Sequence, residues 1–80
     1  MKYYCYVYYD EQWQAYYVGK GVGRRMYSPK DHPELPAKER IQVFNFSEEW
    51  QAWECEIELI AFWGRQCDGG CLLNQSLGGP

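Results

Sequence analysis

Residues 3–21 read YYCYVYYDEQWQAYYVGKG and hold seven of the chain's eight tyrosines. Tyrosine and valine suit a pleated, half-buried surface, and the polar run from Asp10 to Trp13 interrupts them. The pattern predicts a β-hairpin, with strands over 3–9 and 14–18 and a four-residue loop between them. With that loop, Tyr9 faces Gln14, Val7 faces Tyr16, and Tyr6 falls directly opposite Tyr17. The last two then share one face of the sheet.

Working outward, GKGVGRRMYS places three glycines after the second strand, so the backbone turns tightly before a short helix expected from about Val22 to Pro29. Residues 31–40 are broken by prolines and predict loop with one helical turn. IQVFNF, residues 41–46, alternates Ile41, Val43 and Asn45 against Gln42, Phe44 and Phe46, which predicts a third strand. Ser47 is placed to cap a helix of about four turns, with Glu48 and Glu49 at its positive end and Gly64 stopping it. Trp50, Trp53, Ile57, Ile60 and Ala61 fall on one stripe of that helix, and Ala52, Cys55, Leu59 and Phe62 on the opposite one. A helix apolar on both sides is expected to be buried centrally, with Glu54, Glu56 and Glu58 emerging at the seams. The tail RQCDGGCLLNQSLGGP predicts loop with a short turn over 71–74. The order is ββαβα, an α/β domain with a three-stranded, mainly antiparallel sheet and flanking helices.

Eighty residues suffice for one domain, 1–80, and leave nothing over for a second core. Four Trp, eight Tyr and three Phe supply much apolar area for this length. The net charge of −3 argues against a general nucleic-acid coat protein. The charge is uneven, however: residues 20–40 carry +3 and the remainder −6. Four cysteines without a leader-like segment predict reduced thiols and a cytoplasmic setting. No apolar run approaches the roughly 20 residues of a membrane span.

Each constellation has a plain reading beside a chemical one. GKGVG matches neither the phosphate-loop nor the dinucleotide fingerprint, so alone it is a turn. With Lys20, Arg24 and Arg25 beside it, the same turn is suited to holding a phosphate. Most of the tyrosines serve as packing, and a stacking platform for single-stranded bases is the alternative. Cys67 and Cys71 lack the paired spacing of a zinc site, which favours free thiols. His32, between Asp31 and Pro33, reads as a solvated loop histidine.

Taken together, these pieces resemble the GIY-YIG nucleases. YCY, ending in Tyr6, is similar to the family's first motif, and YVG, Tyr17 to Gly19, to its second. Arg25 matches the arginine that follows. Glu56 in EIELI matches the metal-binding glutamate, and Asn74 in LLN the terminal asparagine. The likeness runs in order over residues 4–80 and is nearest to small stand-alone domains of phage or bacterial type. Where the family usually has a histidine or tyrosine one helical turn after the arginine, this chain has Pro29. Tyr27 and His32 stand nearest to fill that role.

The resemblance implies a Mg²⁺- or Mn²⁺-dependent DNA endonuclease, with specificity supplied by DNA contacts or a protein partner. It implies a tyrosine general base, Tyr6 or Tyr17, whose pKa must fall from about 10 under the influence of nearby cations. Arg25 would clamp the scissile phosphate, and Glu56 would hold the metal. Lys20, Arg24, Tyr27, His32 and Asn74 would contact substrate. Two other readings stay open: a non-catalytic domain of the same fold that binds nucleic acid or protein, and a zinc-binding module using Cys67 and Cys71.

Overall fold

The computed structural model describes residues 3–22 and 34–74. Strands β1 (Tyr3–Tyr9), β2 (Ala15–Gly21) and β3 (Ile41–Phe46) form one antiparallel sheet in the order β2-β1-β3, and helix α1 (Glu49–Trp63) packs on one face. The protein is therefore the mixed α/β domain expected. The short helix expected over 22–29 lies outside the described residues, apart from Val22, which is a bend. The helical turn in the proline-rich stretch is a 3-10 turn at Lys38–Arg40.

The hairpin register differs from the expectation by two residues. Tyr6 pairs with Gly19, Val7 with Val18 and Tyr8 with Tyr17, whereas Tyr9 pairs with Ala15. Two local features produce the shift. The connection runs one residue further, to Gln14, because the Asp10 carboxylate accepts hydrogen bonds from the Gln12 and Gln14 amides at 2.9 and 3.0 Å, and Trp13 takes a left-handed φ of 62°. A bulge between the Tyr8 and Tyr9 pairs then adds a second residue, Tyr16, to β2. One extra residue would have turned every β2 side chain to the other face; two restore the face. Tyr6 and Tyr17 thus remain on one side, diagonal rather than opposite, with ring centroids 6.4 Å apart.

Each face of the sheet carries its own core. Cys5, Val7, Ala15 and Val18 pack with Ile60 and Leu72, and Phe44, Phe46, Cys55, Leu59 and Trp63 gather around them. On the reverse face the buried tyrosines Tyr4, Tyr6 and Tyr8 form a second cluster, with Tyr16, Tyr17, Leu35, Ile41 and Val43 against it. The alternation along β1 sends odd residues to the helix and even residues to the tyrosine face.

The helix is not buried on both sides as expected. Only Ala52 and Ile60 are buried, while Trp50, Ile57 and Phe62 are exposed. The reason is geometric: a helix lying on one face of a single sheet has only one covered side. Its start also differs. Glu48, not Ser47, is the N-cap residue, and the Gln51 side chain reaches back to accept from the Glu48 amide at 3.2 Å. Gly64 ends the helix at φ 81°, as expected, and its amide donates to the Ile60 carbonyl.

The tail turns at Gln66–Asp68 rather than over 71–74, and Arg65 bridges Leu72 in parallel. The turn can close because Gly70 lies directly on the backbone of Gly64, where a Cβ would collide with the Gly64 carbonyl.

Candidate functional site

A cavity of about 260 Å³ lies at the β2 edge, bordered by Tyr6, Tyr17, Gly19, Lys20, Glu49 and Glu56, together with Tyr3, Gly21, Val22 and Ala52. Residues from both faces of the sheet meet there. Tyr6 and Tyr17 belong to the tyrosine face, and Glu49, Ala52 and Glu56 belong to the helix on the other. What allows them to meet is Gly19. A Cβ at that position would come within 2.5 Å of the Tyr6 Cζ and Oη, so the phenol crosses the outermost strand only because no side chain is there.

The helix contributes through its spacing. Glu49, Ala52 and Glu56 are three and four residues apart, which aligns them on one side of α1. Two residues further on, Glu58 has turned by about 200° and is exposed, as is Glu54. Glu56 is half-buried at the cavity, so the helix itself distinguishes the two carboxylates in the way the sequence motif does.

Lys20 lies on the helix side of β2, with its Nζ 5.4 Å from the centre of the Trp53 ring, within cation–π range. That contact anchors the ammonium beside the cavity. The indole N–H of Trp53 is buried and finds no acceptor among the described residues.

Three of the tyrosines are disfavoured as proton acceptors. Burial pushes the Tyr8 phenol well above its ordinary value, and the neighbouring phenols of Tyr17, Tyr16 and Tyr4 add to the effect. Tyr9 and Tyr16 are also raised, first by burial. Tyr16 is further committed as a donor to the Glu34 carbonyl at 2.6 Å. These three are poor bases, and none of them lines the cavity.

Asn74 receives a different place from the one expected. It is buried, its Oδ1 accepts from the Val18 amide at 3.0 Å, and its Nδ2 donates to the Val18 carbonyl at 2.6 Å. Leu73 donates to the Tyr16 carbonyl on the same strand edge. The side chain therefore imitates a neighbouring strand and clamps β2 one residue before Gly19. It holds the wall of the cavity rather than facing its contents. The sequence motif marked the residue; its partner, 56 positions away, was not visible there.

Arg24, Arg25, Tyr27 and His32, as well as Pro29, lie outside the described residues. Among the polar side chains at the cavity, Tyr3 and Glu49 were not foreseen as site residues. Glu49 was legible in principle, since it lies seven residues before Glu56.

Among the described residues no three His, Cys, Asp or Glu side chains converge as a metal-binding group. The cavity itself offers the two carboxylates of Glu56 and Glu49. Hard oxygen donors in that number suit Mg²⁺ or Mn²⁺, which are commonly held by one or two carboxylates with water and substrate phosphate completing the shell. Cys67 is exposed on the tail turn, and the Cys71 thiol lies 3.9 Å from the Trp63 carbonyl.

No protein-family profile, no curated protein and no solved structure matches this chain.

Proposed function

We propose that the chain is a Mg²⁺-dependent DNA endonuclease with a GIY-YIG-like site, on the strength of one observation: Tyr6, Tyr17, Lys20 and Glu56 line a single cavity. Phosphodiester hydrolysis needs a base for the attacking water and cationic charge on the phosphate. A cavity that held these residues only for packing would have no use for two carboxylates and a lysine at its rim.

In this reading one of the two phenols, Tyr6 or Tyr17, takes the proton from water. Lys20 pairs with a phosphate oxygen while Trp53 limits where its ammonium can swing. Arg25 clamps the scissile phosphate. Glu56 holds the divalent cation, which supplies Lewis acidity and charge neutralisation when bound. Asn74 clamps β2 at Val18, next to Gly19. Phosphate is bound at the edge of the sheet, where Gly21 brings no side chain to the strand beside Lys20.

A second reading, a binding module without catalysis, draws on Glu49, which adds negative charge where a phosphate has to sit. One assay separates the two. Purified protein is incubated with supercoiled, branched and single-stranded DNA in Mg²⁺ or Mn²⁺ at low salt, with EDTA and Tyr6→Phe and Tyr17→Phe as controls. Cleavage that EDTA stops, and that one of the Phe variants loses, supports the enzyme. DNA binding without cleavage of any substrate at high protein concentration leaves the binding module.

A further inference from the structure

The outer side of α1 is uncovered among the described residues. Trp50 is 53% exposed and Ile57 43%, and Ala61 continues the line. At about 100° per residue these three fall within about 40° of one another, roughly opposite Ala52, and span about 16 Å of helix. Trp53 flanks the stripe on the cavity side. On the far flank stand the exposed carboxylates Glu54 and Glu58, and α1 carries no lysine or arginine anywhere along its length.

We propose that this face docks a basic amphipathic helix of a partner protein. The apolar line accepts anchors spaced i, i+4 and i+7, and an exposed tryptophan at its head supplies the kind of contact that dominates interface energies. The charge pattern selects the partner. Lysines or arginines beside those anchors meet Glu54 and Glu58, whereas a second copy of this chain would bring the same carboxylates against each other, and phosphates would be repelled. The stripe borders the cavity through Trp53 and Lys20, so a partner seated on it narrows the approach of substrate to the cavity. The docking stands without the nuclease reading; only that last consequence rests on it.

The test uses the whole 80-residue chain and two designed peptides of about 20 residues, long enough to form helix. One is Leu/Lys and the other Leu/Glu, with leucines at helical spacing in both. A third peptide has the Leu/Lys composition with its leucines scrambled. Titration calorimetry is expected to show the Leu/Lys helix binding at least about tenfold more tightly than either control, with Trp50→Ser and Ile57→Ser each losing about tenfold. The double reversal Glu54→Lys, Glu58→Lys should switch the preference to the Leu/Glu peptide. The same reversal at Glu11 and Glu39, away from α1, should leave it unchanged. Equal binding of both peptides, equal effects of the two reversals, or sedimentation showing a dimer that Ile57→Ser dissociates would each overturn the proposal.

Discussion

Gly19 and Tyr6 show how one missing side chain can place a chemical group. The phenol occupies the space a Cβ would fill, and Tyr6 is fully buried, so its ring has nowhere to retreat. Gly19→Ala is expected to cost about 1–3 kcal/mol through overpacking and to lower cleavage as well. Combined with Tyr6→Leu, its cost should fall well below the sum of the two, as a double-mutant cycle by urea unfolding would show. Glu56 and Glu58 make the second case at this scale. Glu56→Gln keeps size and shape while removing the carboxylate at the cavity, and it is expected to abolish cleavage with the fold intact. Glu58→Gln, on an exposed side of the same helix, should change the rate little. Single-turnover cleavage by both variants checks the pair; the reverse result would move the motif by two residues and take the assigned site with it.

Among the elements, β2 is the most exacting. Its inner edge is set by β1, its hairpin end by the Asp10 loop and the Tyr16 bulge, and its outer edge by Asn74 and Leu73. Asn74→Ala leaves the buried amide and carbonyl of Val18 without partners, so it is expected to cost about 2–4 kcal/mol. Asn74→Asp restores only the acceptor and should recover part of that at most. Both are read by chemical denaturation, and loss of stability without loss of phosphate affinity in the folded protein would match the clamp. Helix α1 works differently. One side joins the core, one edge lines the cavity, and the outer side has no covering among the described residues, so the helix is tied to the sheet by one side alone.

At the scale of the molecule, burial of titratable groups sets how stability responds to alkali. Burial pushes the Cys5 thiol and the Tyr8 phenol well above their ordinary values. In the unfolded chain these groups ionise near pH 8.5 and 10, so above those values it loses protons that the folded protein keeps. Stability is therefore full at neutral pH and falls as pH rises, by up to about 1.4 kcal/mol per pH unit for each of the two groups. Thermal midpoints measured from pH 7 to 11 should stay flat at first and then drop, beginning near pH 9. Charge distribution governs binding in the same global way. Only residues 20–40 carry a positive excess, so DNA affinity of the isolated chain should be weak, with a shallow salt slope of roughly 0.9 per phosphate neutralised. Tight binding at physiological salt without a partner would contradict it.

The sequence by itself determined β1, β3 and the long helix, because alternation in YYCYVYY and IQVFNF and the stop at Gly64 are local signals that need no distant partner, but it ended β2 at 18 and read a turn where the strand runs on through Gly21. It also put Tyr6 and Tyr17 on one face, although by a register two residues away from the actual one. That agreement came from the pleat: loop and bulge each added a residue, and a shift of two preserves the face. Only the tertiary structure decided which side of α1 is covered, since both stripes are apolar and the choice depends on the single sheet against it. Only tertiary structure could turn Asn74 from a residue facing substrate into a clamp on Val18, because a hydrogen bond across 56 positions leaves no periodic trace in the chain. The cavity itself belongs to the same class. It exists where a strand edge lacks side chains and two faces of the sheet come within reach of each other, a property of packing in three dimensions that no local pattern encodes.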